Sequence, residues 1–240
     1  MRKLFIGLLM LLPVGALADT AHTLDPAPID RRDAASLQRG VRLFANYCLN
    51  CHSADFMRFT VLEAFGLTPD EIRDNLIFTG AKVGDTMTIA MNSREGKAWF
   101  GAPPPDLSVI ARSRSTDWLY TYFRSFYRDD STLTGWNNVV YPNVGMPHVL
   151  WQLQGEQRMK VEEKADTHGV EHKQLVLDKK GIMTPVEYDQ AIADLVNYLA
   201  FMAEPNRAKR IQFGIITLLL LGVLFVFAYW LKKEYWKDVH

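Results

Sequence analysis

Tyr47-Cys48-Leu49-Asn50-Cys51-His52 is the stretch on which the reading of this chain turns. Two thiols stand one helical turn apart, and an imidazole follows directly. The pattern C-x-x-C-H is a c-type haem attachment site. Each thiol can add to a vinyl group on the porphyrin edge, and the adjoining His52 then supplies the proximal iron ligand. A zinc site would need further Cys or His at ligand spacing, and Cys48 and Cys51 are the only cysteines in the chain. A redox dithiol asks for a thioredoxin-like βαβ context. The flanking sequence has helical period instead, and His52 would have no duty there. The expectation is one covalent haem c per chain.

Upstream of the motif, Leu37, Val41 and Phe44 recur at helical spacing and Asp33 stands where a cap belongs, so Asp33 to Tyr47 reads as a helix. Gly40 inside it costs helix propensity. It is either a tolerated glycine or the mark of a second helix in close contact.

The sixth iron ligand must come from downstream. The methionines there are Met57, Met87, Met91, Met146, Met159, Met183 and Met202, and the histidines are His148, His168, His172 and His240. Most methionines fill gaps in a core. Met146 lies in Tyr141-Pro142-Asn143-Val144-Gly145-Met146-Pro147, stiffened by prolines and opened by a glycine, which suits a loop that holds its backbone against a metal. His148, two residues on, is its rival. His/Met ligation raises the reduction potential relative to His/His and fills both axial positions, which favours electron transfer.

Further along, Thr68-Pro69-Asp70-Glu71 is a capping box that opens a helix to about Phe78. Ala102-Pro103-Pro104-Pro105-Asp106 must be an extended turn, after which Asp106 is expected to cap Leu107 to Arg112. Ser115 or Thr116 caps a helix to Arg128, whose stripe Leu119, Tyr122, Phe123, Phe126 and Tyr127 reads as core with a share against the haem. Arg158–Glu162 and Lys173–Leu177 alternate around a polar centre, the pattern of a surface hairpin. His168 and His172 within it are too few for a metal site and read as solvated. Thr184-Pro185-Val186-Glu187 opens a helix carrying Tyr188, Ile192, Leu195, Val196 and Leu199 on one face, ended by Glu204-Pro205.

The two ends of the chain set its compartment. Arg2 and Lys3, the apolar run Leu4 to Val14 and Ala16-Leu17-Ala18 have the layout of a secretory signal cleaved before Asp19. Ile211 to Leu231 is apolar apart from Gln212 and Thr217, and matches the roughly 20 residues that cross a bilayer as a helix. Arg207, Lys209 and Arg210 precede it and Lys232, Lys233 and Lys237 follow, so basic residues do not decide its direction. The export signal does, leaving the tail in the cytoplasm. The expected organisation is a leader over 1–18, an exported haem domain over 19–206, and an anchor with a short tail over 207–240. With 48% hydrophobic and 22% charged residues the composition is that of a folded protein, and 27 basic against 27 acidic residues leave no basic excess for nucleic acid.

Taken in order, Gly40-Val41-Arg42-Leu43-Phe44 before the attachment site, Gly101-Ala102-Pro103-Pro104-Pro105-Asp106-Leu107-Ser108, the Met146-Pro147 loop, Met183-Thr184-x-x-Glu187-Tyr188-Asp189, Asp194-Leu195-Val196-Asn197-Tyr198-Leu199 and Glu204-Pro205 before an anchor resemble the cytochrome c1 family in a bacterial form. The resemblance runs across most of residues 33–231. It implies a mainly α, class I cytochrome c-like haem domain with loop and hairpin insertions and one C-terminal transmembrane helix. It implies His52 and Met146 as axial ligands, Pro105 packed near the haem, and Arg114 paired with a haem propionate, where a bidentate bond is available. Without the resemblance, Arg114 reads equally as a solvated charge. Gly40 would let the N-terminal helix cross the C-terminal one near Tyr198. The ligand loop departs from the family pattern, continuing Met146-Pro147-His148-Val149-Leu150-Trp151 rather than as a proline-rich run.

The function implied is that of the electron-transfer subunit of ubiquinol–cytochrome c oxidoreductase, a carrier within an enzyme complex. It would stand in a bacterial inner membrane with the haem domain on the periplasmic side. The implied partners are cytochrome b, the Rieske iron–sulfur protein, membrane lipid, and a soluble or anchored cytochrome c acceptor, in a dimeric complex. Asp129, Asp130, Glu162 and Glu163 are either steering charges for a basic acceptor or ordinary solvated ones. Two rival readings share the haem motif. One is a free-standing anchored monohaem cytochrome feeding a terminal oxidase. The other is a haem sensor or assembly protein with an open sixth position.

Overall fold

A computed structural model describes residues 23–162 and 172–238. The leader expected over 1–18, and His22, Glu163, His168 and His240, lie outside the described residues. The chain is mainly helical, with three two-stranded antiparallel ribbons among the described residues.

Helix α1 (Ala34–Leu43) starts where the Asp33 carboxylate accepts from the Ser36 amide at 3.1 Å. It does not run on as an α-helix to Tyr47. Phe44–Cys48 is a π-helical turn, closed by the Leu49 amide on the Phe44 carbonyl at 3.0 Å. Such wide turns recur at functional sites, and this one delivers Cys48. Strand β1 (Ala54–Arg58), a 3₁₀ segment (Phe59–Phe65) and α2 (Pro69–Leu76) follow, the last with both halves of the expected capping box made by Thr68 and Glu71. Then come β2 (Thr86–Met87), paired with β1, and α3 (Ser93–Phe100).

Two expectations in the next stretch are corrected. Asp106 does not cap a helix over Leu107 to Arg112. The helical turn α4 is only Ile110–Ser113, and its cap position, Val109, offers no side-chain acceptor. The Asp106 carboxylate is engaged elsewhere, by the attachment segment. Nor does α5 (Thr116–Arg124) reach Arg128. Phe126–Arg128 forms β3, which pairs with β4 (Trp136–Asn138) in the register Phe126↔Asn138 and Arg128↔Trp136. Cross-strand pairing overrides the local helical pattern. Ser115 is the cap of α5, accepting from the Trp118 amide at 3.2 Å.

A short α6 (Trp151–Gln154) leads into the hairpin β5 (Gly155–Glu162) and β6 (His172–Lys180), as its alternation predicts. Bidentate Arg128–Glu156 contacts of 3.0 and 3.1 Å tie its base to β3. Helix α7 (Pro185–Ala203) repeats the capping box with Thr184 and Glu187 and ends at Glu204. It buries Tyr188, Ile192, Leu195, Val196, Tyr198 and Leu199. Full burial of an aliphatic side chain of this size contributes about 1.5–3 kcal/mol.

The core is organised where α1 crosses α7. A side chain at Gly40 would run into the Asp194 carbonyl oxygen and come within 2.8 Å of Tyr198 Cβ. Glycine is therefore what allows the two backbones to meet. Beside it, Phe44 packs on Tyr198 with ring centroids 5.3 Å apart. Arg39 grips the buried Asp194 carboxylate at 2.6 and 3.0 Å. Asn197 donates to the Asp30 carbonyl at 2.7 Å and to the Ser36 hydroxyl at 3.0 Å. Helix α5 joins the same core, with Tyr188 donating to the Phe123 carbonyl at 2.8 Å. Gly40→Ala is expected to destabilise the domain by about 2 kcal/mol through overpacking, lowering Tm by roughly 4–8 °C for a chain of this size. Thermal unfolding of the detergent-solubilised protein measures it. A Tm equal to wild type would contradict the close crossing.

Beyond Pro205, α8 (Arg207–Tyr235) runs 29 residues, roughly 43 Å at 1.5 Å per residue. Its apolar side chains are exposed throughout, and it is long and apolar enough to cross a membrane.

Candidate haem site

The site is built from two groups of side chains on one core. The first gathers around the attachment sequence. The tight turn after the π turn is closed by the Cys51 and His52 amides on the Cys48 carbonyl, at 3.0 and 2.9 Å. Cys48 is buried, Cys51 is half-buried, and both are free thiols. Burial pushes the Cys48 thiol up to about 12 and raises Cys51 as well. A redox dithiol works by a lowered thiol pKa, so the shift runs against that reading of C-x-x-C.

His52 is held by a single contact that fixes its chemistry. Its Nδ1 lies 2.8 Å from the Pro105 carbonyl oxygen. A carbonyl only accepts, so Nδ1 carries the proton and Nε2 keeps its lone pair. This is how a metal-binding imidazole is oriented by its outer partner. Burial lowers the His52 pKa, with Pro105 and Asp106 opposing, so the ring is neutral at pH 7, as a ligand must be.

Pro105 can do this because its segment is stitched to the attachment segment. The Asp106 carboxylate accepts from the Ser53 hydroxyl and the Asp55 amide, each at 2.8 Å, and from the Ser108 amide at 2.8 Å. The Leu107 amide donates to the Ser53 carbonyl at 2.8 Å, and the Ser108 hydroxyl accepts from the Phe56 amide at 3.1 Å. Burial works to raise the Asp106 pKa, but these hydrogen bonds outweigh it and leave it lowered. The prolines keep the stretch extended, so its carbonyls stay free to accept.

The second group surrounds Met146, which is half-buried. The Tyr122 hydroxyl donates to its sulfur at 3.4 Å. Tyr122 is stacked on Trp118 with centroids 4.8 Å apart and an interplanar angle of 12°. The Arg114 guanidinium lies over Trp118 at 5.2 Å and Tyr141 at 5.6 Å, and no described carboxylate pairs with it. Arg114, Trp118, Tyr122 and Met146 thus form a chain of contacts, the guanidinium over the indole, the indole on the phenol ring and the phenol hydroxyl on the thioether. Tyr122 stood in the aromatic stripe of the sequence, but its bond to Met146 joins residues 24 positions apart, and no periodicity signals that.

His148 is placed differently. It is buried, stacked on Phe126 at 4.8 Å with an interplanar angle of 6°, and meets the edge of Trp136 at 5.1 Å. Burial pushes its pKa to about 4, so it is neutral. The His148 ring is thus spent on aromatic packing, with Nε2 buried and without a partner among the described residues, whereas the Met146 sulfur is half-buried and takes the Tyr122 hydroxyl. Of the other methionines, Met57, Met87 and Met202 are buried in the core, Met87 accepting from the Tyr198 hydroxyl at 3.5 Å. Asp129 is taken up by Ser131 and Asn137 within its own turn, while Asp130 is exposed. The side chain of Glu162 lies outside what the structure describes.

The donor set suits a covalent haem: two free thiols, an imidazole with Nδ1 committed, a thioether, and a guanidinium over aromatic rings. Comparison with known proteins agrees. The model of the Cytochrome C1 family matches residues 26–239. A cytochrome c1 from Allochromatium vinosum is 46% identical over the whole of both chains. A protein from Nitrosomonas europaea named ammonia monooxygenase gamma subunit is 51% identical over 90% of this chain and 89% of its own. Among solved structures, a chain of a hyperthermophilic respiratory Complex III aligns over 100% of this chain and 98% of its own, with a TM-score of 0.45 and 16% identity.

Proposed function

Because the chain belongs to the cytochrome c1 family, we propose that it is the anchored electron-transfer subunit of a ubiquinol–cytochrome c oxidoreductase, with Cys48 and Cys51 as attachment thiols and His52 and Met146 as axial ligands. The chain carries covalent haem c, as this family does. When bound, that group supplies a one-electron iron couple. The observation that carries the ligand reading is the 2.8 Å contact between His52 Nδ1 and the Pro105 carbonyl, which leaves Nε2 free for a metal.

The chain's own residues position and tune. His52 stays neutral and oriented. Met146 would offer a soft thioether, which would raise the potential relative to a second histidine and, together with His52, would favour electron transfer over oxygen chemistry. Arg114, backed by Trp118 and Tyr141, would pair with a propionate. No general acid, base or nucleophile is asked of the chain, and quinol oxidation belongs to the assembly. In this reading residues 1–18 are a cleaved leader, 19–206 stand on the periplasmic side, and 207–240 are the anchor and its cytoplasmic tail. Cytochrome b is the neighbour in the membrane, the Rieske protein the electron donor, and a soluble or anchored cytochrome c the acceptor, in a dimeric complex.

Purification through a C-terminal tag in mild detergent, with a reduced-minus-oxidised spectrum, tests this. Bands of c-type and b-type haem together with an iron–sulfur signal are expected. A c-type band alone would assign the chain to a solitary anchored cytochrome. Recovery of ammonia-oxidising activity instead would move it to the assembly for which the Nitrosomonas relative is named.

A further inference from the structure

The loop that carries Met146 has no secondary structure of its own, yet its backbone is bound at close intervals by two adjacent side chains. Asn137 and Asn138 end β4 and are 6% and 1% exposed. The Asn138 side-chain oxygen accepts from the Val140 amide at 2.9 Å, the Tyr141 amide at 3.1 Å and the Ser125 hydroxyl at 3.2 Å. The Asn137 oxygen accepts from the Asn138 and Asn143 amides, each at 2.8 Å. Two carboxamide oxygens therefore collect four amides of the segment 138–143. The Val140, Tyr141 and Asn143 amides have no helix or strand partner, so these bonds hold the loop to the path that lets the amides reach the two oxygens.

The donor ends of the same side chains tie the loop to the rest of the site. Asn137 donates to the Asp129 carboxylate at 2.8 Å, anchoring it in the β3–β4 turn. Asn138 donates to the Tyr122 carbonyl at 2.8 Å, and the Tyr122 hydroxyl donates to Met146 sulfur at 3.4 Å. The circuit closes: Tyr122 is held at its carbonyl by Asn138 and touches Met146 with its phenol, while Asn138 also holds the backbone leading to Met146. Two backbone features complete the path. Asn143 is left-handed, with φ +60°, a conformation asparagine tolerates better than most residues. A side chain at Gly145 would strike the Phe100 carbonyl.

We propose that Asn137 and Asn138 are positioning residues for the axial ligand: through the loop amides and Tyr122 they set where the Met146 sulfur stands. This rests on the reading of Met146 as the sixth ligand. It assigns no direct contact with the haem to either asparagine. The attachment group, Cys48, Cys51 and His52, is braced separately by Pro105 and Asp106 and should not depend on them.

The test uses the full-length chain in its membrane, with Asn137→Leu and Asn138→Leu, and Asn138→Asp as the conservative partner. Each Leu variant is expected to keep covalent haem but to lose at least half of the charge-transfer band of thioether-ligated ferric haem. The reduction potential should fall, and the ferrous form should gain carbon monoxide binding. Asn138→Asp keeps an oxygen for the loop amides but loses the donor to the Tyr122 carbonyl, and should keep more of the band than Asn138→Leu. If the wild-type chain lacks the band, the ligand assignment fails. If wild type has it and the Leu variants keep it in full with an unchanged potential, the positioning role fails. Should a Leu variant not accumulate, alanine at the same position, which has no acceptor for the loop amides, is judged on the same band and potential.

Discussion

Cys48→Ser combined with Cys51→Ser abolishes covalent haem. On a denaturing gel the double variant shows no haem-dependent peroxidase band at the mass of this chain, while the tagged polypeptide remains detectable by immunoblot. No other cysteine in the sequence can take over the attachment, so the loss is complete rather than partial. His52→Ala separates attachment from ligation. It leaves both thiols in place and is expected to retain a stainable band while losing the low-spin spectrum, because no proximal imidazole remains. A haem band surviving in the double Ser variant would contradict the account at its base.

Met146→Leu has the second largest effect. Leucine conserves volume, and such exchanges usually cost less than about 1.5 kcal/mol in a packed site, so the domain should persist with haem attached. The thioether is gone, the sixth position opens, and the potential falls because the Met contribution that raises it is lost. Equilibrium redox titration and carbon monoxide binding to the reduced protein report the change. His148 supplies the built-in control. An unchanged spectrum in Met146→Leu, with the open-site spectrum appearing instead in His148→Leu, would move the ligand two residues along. The packing of the His148 ring on Phe126 and Trp136 favours loss of the low-spin spectrum in Met146→Leu.

What could be read in advance from the residues follows how local its physics is. Asp33, Thr68 and Thr184 announce helix starts because a cap is satisfied within three residues, and all three behave as their sequence implies. The Cys48-x-x-Cys51-His52 spacing is equally local. Gly40 was ambiguous on its own and needed α7 to explain it, since the atoms that forbid a side chain belong to Asp194 and Tyr198. The contacts that make the site work are long-range and carry no period. Asp106, placed in sequence as a cap, gives one oxygen to Ser53 and Asp55, fifty residues back, and the other to the Ser108 amide. Phe126 to Arg128, placed in sequence at the end of a helix, pair with Trp136 to Asn138 once that strand is available. The Pro105 carbonyl on His52, the Tyr122 hydroxyl on Met146 and the Asn138 circuit are each a side chain meeting a partner that only the fold supplies.

Electron delivery from quinol to this chain is the central step of the proposed function. Ubiquinol added to the tagged assembly in detergent, with the c-type band followed in time, measures it. The account predicts that the haem held by Cys48, Cys51, His52 and Met146 becomes reduced during quinol oxidation. A c-type band that stays oxidised with quinol, yet is fully reduced by dithionite, would contradict it.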